Sequence, residues 1–217
     1  KLTASKLLEI KNFSYCILEN SFSFLNSFCI LISLLKEMSD NLISKLLYSF
    51  SISLFPIKRE RSSDDPLVQQ GRRFAGPNEW PKGLPGFKDN VLKYTKAIDE
   101  MAQKLLAPLA ISLDMPANTF KEAFCESQFS FRLSHYPKIS ELASNQYGIA
   151  PHTDSNFLTF LAQTSIPGLQ IQTKTGQWLD VPYVPQSFVV NSGDMLHRWT
   201  NGFYKSTPHR ALPPTKD

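Results

Sequence analysis

Two residues whose side chains bind metal ions, His152 and Asp154, are separated by a single residue in the sequence Ala150-Pro-His-Thr-Asp154. In an extended chain, residues i and i+2 point to the same face and lie about 6 to 7 Å apart along the backbone. The imidazole and the carboxylate can therefore converge on one point, as the two ligands of a chelate do. Two ligands hold a metal ion only weakly, so a third must come from elsewhere in the chain.

His209 is the candidate for this third ligand. It lies in Ser206-Thr-Pro-His-Arg-Ala211, on a later predicted strand that an antiparallel jelly roll could bring beside the first pair. Two histidines and one carboxylate on one face of an octahedral ion form the facial triad of non-haem Fe(II) oxygenases, which leaves three coordination positions open for reactants. The alternative is a solvated His–Asp pair at a strand end and a surface histidine after Pro208, which requires no metal. The spacing alone does not decide between these two interpretations.

The pattern of apolar residues predicts the elements that must position these side chains. One long helix is predicted over 87–113, with Pro108 kinking or ending it, and a short helix is predicted over 117–124. From residue 129 the period changes to short strand-like segments separated by turn residues: 129–135, 157–162, 169–172, 178–181, 188–191 and 204–211. Helices followed by many short strands predict a mainly β fold, in which an antiparallel core is flanked by helices.

Length, charge and cysteine content restrict the class of protein to which the chain can belong. The chain has 217 residues, which is enough for one globular domain with a core. It contains 23 Lys and Arg against 19 Asp and Glu. The small basic excess is not gathered in a stripe, which argues against a nucleic-acid partner. The three cysteines, Cys16, Cys29 and Cys125, form no zinc-binding pattern. We therefore expect buried thiols in a reducing compartment, and hence a cytoplasmic protein of unspecified oligomeric state.

Residues 1–57 differ in composition from the rest, because the first 55 residues contain none of the 15 prolines and 9 glycines of the chain. Three interpretations stay open. The uncharged run 20–35 is short for a membrane helix, which needs about 20 apolar residues, so we do not expect a membrane partner. The run also lacks the start and the cleavage site of a secretory signal. The interpretation that we favour is that this Leu/Ser/Phe-rich segment is a translated intron or misassigned exon, outside the native domain.

Residues 59–217 resemble a known family, the 2-oxoglutarate- and Fe(II)-dependent dioxygenases of the isopenicillin N synthase-like group. The resemblance implies a double-stranded β-helix, the jelly-roll fold related to the cupins, and it implies that His152, Asp154 and His209 are the iron ligands. It rests on motifs that occur in the family's order and spacing: Gly76-Pro-Asn-Glu-Trp-Pro81, Arg132-Leu-Ser-His-Tyr-Pro137, Gly148-Ile-Ala-Pro-His-Thr-Asp154, Gly168-Leu-Gln-Ile-Gln172, Gly176-Gln-Trp-Leu-Asp-Val-Pro182, Asn191-Ser-Gly-Asp194 and Arg198-Trp-Thr-Asn-Gly-Phe-Tyr-Lys-Ser-Thr-Pro-His-Arg210.

The resemblance also implies a reaction. In this family 2-oxoglutarate and O2 are consumed with Fe(II), succinate and CO2 are released, and a small organic substrate is hydroxylated or desaturated, with ascorbate as a supporting reductant. Tyr136 matches the tyrosine that hydrogen-bonds the cosubstrate, Ser134 is a second expected cosubstrate contact, and Arg132 is expected to face the primary substrate. The alternative for Tyr136 is a core tyrosine bonded to backbone. His197 lies at a position that the family does not use for iron, and we interpret it as a structural or pocket-lining residue. We interpret His135 as a packed or surface residue.

The resemblance is incomplete at both ends. The family motif continues to an Arg-x-Ser on the next strand, whose arginine pairs with 2-oxoglutarate, and the chain stops at Asp217 before reaching it. Arg210 cannot replace that arginine, because a one-residue step along a strand points the side chain to the other face. We therefore divide the chain into residues 1–57 and a dioxygenase domain over 58–217 that lacks its C-terminal strand. Two alternative functions follow: an inactive truncated or mis-spliced fragment, and an oxidase of the same fold that does not use 2-oxoglutarate.

Overall fold

The computed structural model describes the backbone of Tyr15–Glu19 together with residues 57–72, 74–141 and 145–215. The run 20–35 and the side chains of Cys16 and Cys29, about which the sequence raised expectations, lie outside what is described. The described residues belong to two compact units. The β unit contains Tyr15–Glu19 and the described residues from Tyr136 onward, and the helical unit contains the described residues from Ile57 to His135. Within these described ranges, no helix combines the length and the apolarity that crossing a bilayer requires.

The helical unit contains one short and one long helix. Helix α1 (Pro66–Gln69) begins where the side chain of Asp65 accepts a hydrogen bond from the backbone N–H of Leu67 at 2.8 Å, the usual role of an aspartate before a helix. Helix α2 (Phe87–Ile111) begins after Gly86, whose φ is 75°. Glycine adopts this left-handed conformation without the clash that a Cβ would cause.

Helix α2 confirms the predicted long helix, although it ends at residue 111 rather than 113. Its buried face includes Tyr94, Leu109 and Ala110. Pro108 does not end the helix, which continues past it to Ile111. Leu109 and Ala110 are 6% and 0% exposed. The packing of this last turn therefore offsets the loss of the backbone hydrogen bond that Pro108 cannot donate.

Three expectations for the helical unit are wrong. Residues 117–124 form successive turns rather than a helix, with bonds such as that from the N–H of Lys121 to the carbonyl of Asn118 at 3.0 Å. Residues 129–135 do not form a strand: Phe131 makes an isolated antiparallel bridge with Ile57, and this pairing is not continued into a ladder. Cys125 is exposed rather than buried, because it lies in the surface turns that replace the predicted helix.

The β unit contains seven strands among its described residues, all paired antiparallel in two sheets. They are β1 (Tyr15–Glu19), β2 (Ile149–His152), β3 (Leu158–Ala162), β4 (Leu169–Gln172), β5 (Trp178–Asp180), β6 (Ser187–Ser192) and β7 (His209–Ala211). The three-stranded sheet has the order β1-β6-β3, and the four-stranded sheet has the order β2-β7-β4-β5. A mainly β architecture with few helices agrees with the predicted fold class.

Strand β6 is the central strand of the three-stranded sheet, and it is buried along most of its length. Phe188, Val189 and Val190 are at most 8% exposed, and the polar residues Asn191 and Ser192 that follow them are also buried. Because both faces are covered, the strand has a continuous apolar run rather than an alternation. Polar side chains buried in such a strand require hydrogen-bond partners.

Four of the predicted strands, those now called β3, β4, β5 and β6, agree with the structure to within one residue at each end. The predicted strand 204–211 is confirmed only for β7, His209–Ala211. The sequence pattern did not predict β1, β2 or the short helix α3 (Asp194–Trp199), which follows β6 and buries Leu196. The division of the chain after residue 57 stays a prediction, although Tyr15–Glu19 pairs with β6.

Candidate metal centre

Two antiparallel strands and the loop after one of them bring the predicted ligands together. His152 is the last residue of β2, Asp154 follows two positions later, and His209 is the first residue of β7. Within the β2–β7 pair, His152 lies directly opposite His209, whereas Ile149 lies opposite Ala211. Side chains of directly opposite residues project from the same face. Both imidazoles therefore lie on one side of the four-stranded sheet.

A β-bulge sets this register. Between the two paired positions, β2 contains Ala150 and Pro151, whereas β7 contains only Arg210. The additional residue in β2 shifts His152 by one position along its partner strand. Pro151 is suited to this place, because it has no N–H to contribute to a ladder and sheets accept proline at bulges and edges. Without the bulge, the two histidines would not face each other.

The donor atoms of the three residues surround a common point. Nε2 of His152 is 3.7 Å and Nε2 of His209 is 3.6 Å from Oδ1 of Asp154. One donor atom from each of the three residues lies within 4.8 Å of the other two. The two imidazole rings have centroids 4.3 Å apart and are tilted by 54°. The structure thus brings together three residues that are far apart in the sequence.

Backbone carbonyl groups fix the orientation of both imidazoles. Nδ1 of His152 lies 2.8 Å from the carbonyl oxygen of Ala150, and Nδ1 of His209 lies 3.1 Å from that of Thr207. A carbonyl oxygen can only accept, so each Nδ1 carries a proton and donates it. In the neutral ring Nε2 then carries a lone pair instead of a proton, which is the state of a histidine that binds a metal ion.

Two neighbouring side chains hold Asp154. Its Oδ2 accepts a hydrogen bond from Nδ2 of Asn191 at 2.8 Å and another from Oγ1 of Thr159 at 2.6 Å. Burial, the largest effect, raises the pKa of the Asp154 carboxyl, but these two hydrogen bonds and the nearness of both imidazoles together bring that pKa below its ordinary value. Asp154 is therefore a carboxylate at neutral pH and supplies negative charge to the centre.

The loop that carries Asp154 packs against the segment that joins β6 to α3. The N–H of Asp194 donates to the carbonyl of Asp154 at 2.6 Å, and the N–H of Gly193 donates to the carbonyl of Phe157 at 3.2 Å. A Cβ added to Gly193 would lie 2.7 Å from the carbonyl oxygen of Asp154, so only glycine fits between the two segments. Gly193 and Asp194 therefore determine where this loop lies.

The donor set suits a divalent transition-metal ion. Two neutral imidazole nitrogens and one carboxylate oxygen are the ligands of the facial triad that holds non-haem Fe(II). The side chains of His209 and Asp154 are 10% and 18% exposed, whereas that of His152 is 38% exposed. The centre is thus open on the side of His152. An open side leaves room for further ligands, as a catalytic metal site requires.

The other predicted site residues are divided between the two units. Tyr136 belongs to the β unit, and its ring packs so closely on Gly148 that a Cβ added there would lie 2.7 Å from Cδ1 of the tyrosine. Arg132 and Ser134 belong to the helical unit, where both are exposed. Cosubstrate binding by Tyr136 and Ser134 and substrate binding by Arg132 stay predictions.

The two remaining histidines have different surroundings. His197 lies on α3, and its Nδ1 is 2.7 Å from the carbonyl oxygen of Tyr204, to which it donates. His135 is an exposed residue of the helical unit. Neither belongs to the group of side chains that could hold a metal ion among the described residues, which is the group His152, Asp154 and His209.

Sequence reasoning did not identify Thr159 and Asn191 as part of this centre. Asn191 opens one of the motifs on which the family resemblance rests, and a polar residue at the end of a continuous apolar run is a signal of a required partner. Thr159 gives no comparable signal, because threonine is common in strands for packing reasons alone. Its contact with Asp154 becomes visible only when the strands are placed together.

Arg210 makes its contacts away from the predicted ligands. Its guanidinium lies 4.1 Å from the ring centroid of Trp178 and 5.5 Å from that of Tyr147. Its Nε donates to Oε1 of Gln170 at 2.8 Å, the residue directly opposite in β4. Arg210 is therefore engaged in the packing of the four-stranded sheet, as its one-residue distance from His209 indicates.

The amino-acid sequence is similar to those of known proteins. Residues 127–217 match the family model described as the 2OG-Fe(II) oxygenase superfamily. The chain is 37% identical over 163 residues to a 2-oxoglutarate-Fe(II) type oxidoreductase of Emericella nidulans, a match that covers 72% of the chain and 46% of the relative. It is 34% identical over 149 residues to a homoarginine-6-hydroxylase of Glycine max, with 65% and 45% covered. The chain spans about half the length of these curated relatives.

The fold is also similar to that of solved structures. A full-length protein of Neurospora crassa, crystallised in complex with alpha-KG, matches with a TM-score of 0.77 and 24% identity, over 99% of the chain and 74% of that protein. A 2OG-Fe(II) oxygenase family protein from Caulobacter crescentus, with its function assigned only provisionally, matches with a TM-score of 0.81 and 24% identity, over 97% and 75%. At these identities the likeness concerns the fold.

Proposed function

Because residues 127–217 belong to the 2OG-Fe(II) oxygenase superfamily, we propose that the protein is a dioxygenase that uses Fe(II), 2-oxoglutarate and O2. Its substrate is a small organic molecule, which it hydroxylates or desaturates, and it releases succinate and CO2. One observation carries this proposal: Nε2 of His152 and Nε2 of His209 lie 3.7 and 3.6 Å from the same oxygen of Asp154.

His152, Asp154 and His209 are the proposed iron ligands. When bound, Fe(II) and 2-oxoglutarate would supply an oxidation of the substrate by O2 that is coupled to the decarboxylation of 2-oxoglutarate. The task of the chain is to hold the donor atoms. The two carbonyl-bonded imidazoles present unprotonated Nε2 atoms, and the carboxylate offsets one of the two positive charges of a divalent ion. The exposed side of His152 is the proposed direction from which cosubstrate and substrate approach.

A double-stranded β-helix is the proposed architecture around this centre. Two antiparallel sheets in the β unit, with β7 inserted between β2 and β4, support this fold, as does the likeness to solved structures. Such a scaffold places the ligands on paired strands or next to them. In the proposed fold, the strand pair β2–β7 then supplies both histidines from paired positions.

Tyr136, Ser134 and Arg132 are proposed to bind the two organic reactants. Tyr136 and Ser134 would contact 2-oxoglutarate, and Arg132 would face the primary substrate. The packing of the Tyr136 ring on Gly148, immediately before β2, supports a position near the strand that carries His152. The exposure of Arg132 leaves its guanidinium available for an anionic or carbonyl group of a substrate.

The proposed substrate class is a small organic molecule. One relative of the chain is a homoarginine-6-hydroxylase, and its name indicates a small-molecule substrate for that protein. The two alternatives left open by the sequence, a fragment without catalytic function and an oxidase that does without 2-oxoglutarate, are not favoured by the relatives, whose descriptions name 2-oxoglutarate-Fe(II) oxidoreductases and hydroxylases.

The decisive test is succinate formation by the 217-residue chain with Fe(II), ascorbate and 2-oxoglutarate. We expect succinate that depends on both Fe(II) and 2-oxoglutarate and that disappears in Asp154→Ala. The matched control is His135→Ala, which removes an exposed imidazole of the helical unit and is expected to leave the rate unchanged. Substrate oxidation without 2-oxoglutarate would favour the oxidase. No turnover by a chain that binds Fe(II) would favour the inactive fragment.

A further inference from the structure

We propose that Asn191 and Thr159 are positioning residues that hold Asp154 as a one-oxygen ligand of the metal. This inference rests on the metal site proposed above and adds the means by which the chain controls how the carboxylate binds. The carboxylate has two oxygens with different surroundings. Oδ2 accepts hydrogen bonds from both positioning residues, while Oδ1 faces the Nε2 atoms of the two histidines.

The direction of these hydrogen bonds follows from the chemistry of the groups. A carboxylate can only accept, so the group of Asn191 that faces Oδ2 at 2.8 Å must be the amide nitrogen. Nδ2 of Asn156 lies 2.8 Å from Oγ1 of Thr159 and donates to it. The threonine hydroxyl therefore has its own proton free to donate to Asp154, at 2.6 Å. The direction of both hydrogen bonds in the series Asn156–Thr159–Asp154 is thus defined.

These bonds oppose binding of a metal ion through both carboxylate oxygens. For Oδ2 to reach the ion, the carboxylate would have to rotate away from two charge-assisted hydrogen bonds, which are stronger than those between neutral groups. Oδ1 has no such restriction, because it already points toward both imidazoles. Binding through one oxygen occupies a single coordination position and leaves three open on a six-coordinate ion.

The two positioning residues are neighbours across the three-stranded sheet. Thr159 on β3 is directly opposite Asn191 on β6, so their side chains project from the same face toward Asp154. Asn191 is 4% exposed and follows three buried apolar residues, where an amide without a partner would be costly. The four-stranded sheet thus carries the two histidines, while the three-stranded sheet orients the carboxylate.

Titration of the chain with Co(II), followed by its visible absorption, tests this inference without using turnover. Thr159→Val keeps the shape of the side chain and removes the hydroxyl, and Asn191→Leu removes the amide. We expect each to weaken Co(II) binding by about 10- to 100-fold, the usual effect of removing a group that orients a metal ligand. We also expect a changed Co(II) spectrum, because the second oxygen is then free to bind.

Two further variants separate positioning from stability. Thr159→Ser keeps the hydroxyl and is expected to retain both the affinity and the spectrum of the unsubstituted chain. Ser192→Ala removes a buried hydroxyl from the residue next to Asn191, one that bonds to the carbonyl of Lys205 rather than to Asp154. It is the matched control for any general loosening of β6, and its Co(II) binding is expected to be unchanged.

The outcomes distinguish this inference from the proposed function. If the unsubstituted chain does not bind Co(II), the metal site fails and the inference fails with it. If the unsubstituted chain binds Co(II) and Thr159→Val binds it with the same affinity and spectrum, the site stands and the positioning role is wrong. If Ser192→Ala weakens binding as much as the two positioning variants, the effect reflects the packing of β6, and the inference is overturned as well.

Discussion

The backbone N–H of Asp194 donates to the carbonyl oxygen of Asp154 at 2.6 Å. This bond joins the first residue of α3 to the loop residue that supplies the carboxylate. It depends on the absence of a side chain at Gly193, where a Cβ would lie 2.7 Å from the same carbonyl oxygen and 2.5 Å from Oδ1 of Asn156. The place of the carboxylate is therefore set by backbone packing as well as by its own hydrogen bonds.

Gly193→Ala is expected to destabilise the fold and weaken metal binding. The added methyl group must push the loop at Asp154 away from α3, and overpacking of this kind typically costs about 1–3 kcal/mol. Urea unfolding and Co(II) titration measure the two effects. Gly176→Ala is the control, because Gly176 has a φ of 82° and no atom of the described residues lies within 4 Å of its Cβ position. It should lower stability through backbone strain while Co(II) binding stays unchanged.

Binding of a divalent transition metal is expected to stabilise the folded chain. An ion that binds only the folded state adds about 2.7 kcal/mol to the free energy of unfolding when its concentration is about 100 times Kd. Thermal unfolding with Co(II), before and after a chelator, measures this gain. Asp154→Ala and His209→Ala should show no gain, and His135→Ala should show the full gain. A stabilisation that persists in Asp154→Ala would place the ion elsewhere.

Arg210→Ala is expected to lower stability without removing the metal site. The guanidinium lies over Trp178 at 4.1 Å and donates to Gln170 at 2.8 Å. A cation–π contact of this kind contributes about 0.5–1 kcal/mol and the hydrogen bond about 1 kcal/mol, so a loss of about 1–2 kcal/mol is expected in urea unfolding. Lys174→Ala, which removes an exposed charge from the turn between β4 and β5, should change stability little. A Co(II) affinity lowered as strongly as in His209→Ala would contradict this separation of roles.

The stability of the chain is expected to fall in alkaline solution because of Tyr94. Burial raises the pKa of this tyrosine well above its ordinary value of 10.0, so the folded state resists ionisation while the unfolded state does not. The free energy of unfolding is then unaffected below pH 10 and decreases as the pH rises beyond it. Tyr94→Phe should move the midpoint of alkaline unfolding to higher pH. Tyr183→Phe, which changes a ring that is 42% exposed, should leave the midpoint unchanged.

The sequence was sufficient to predict the main elements whose packing follows from apolar patterning. Helix α2 and the strands β3 to β6 agree closely with their predicted ranges, because each carries apolar residues in a regular pattern or a short run between turn residues. The prediction failed where an apolar pattern typical of a strand has no partner strand to pair with. Residues 129–135 alternate like a strand, but an alternating segment becomes a strand only if a partner runs beside it, and Phe131 finds one isolated bridge with Ile57.

The residues of the candidate metal centre could be predicted from the sequence, but the way in which the fold brings them together could not. His152, Asp154 and His209 are residue types that bind metals, and the motifs around them point to their association. The bulge at Ala150 and Pro151 that places the histidines opposite each other depends on the register between two distant strands. The contact between Thr159 and Asp154 depends on the same long-range pairing. Neither the bulge nor this contact can be predicted from the local sequence.

Strand β7 is synthesised after β2, β4 and β5, yet it lies between β2 and β4. His152 and Asp154 therefore leave the ribosome well before His209. During that interval the nascent protein has two of the three proposed metal ligands. Closing the sheet requires a pairing of high sequence separation, which is a slow event in folding. The proposed binding of iron should for this reason follow release of β7 from the ribosome, and it would then report that the β2–β7 pair has formed.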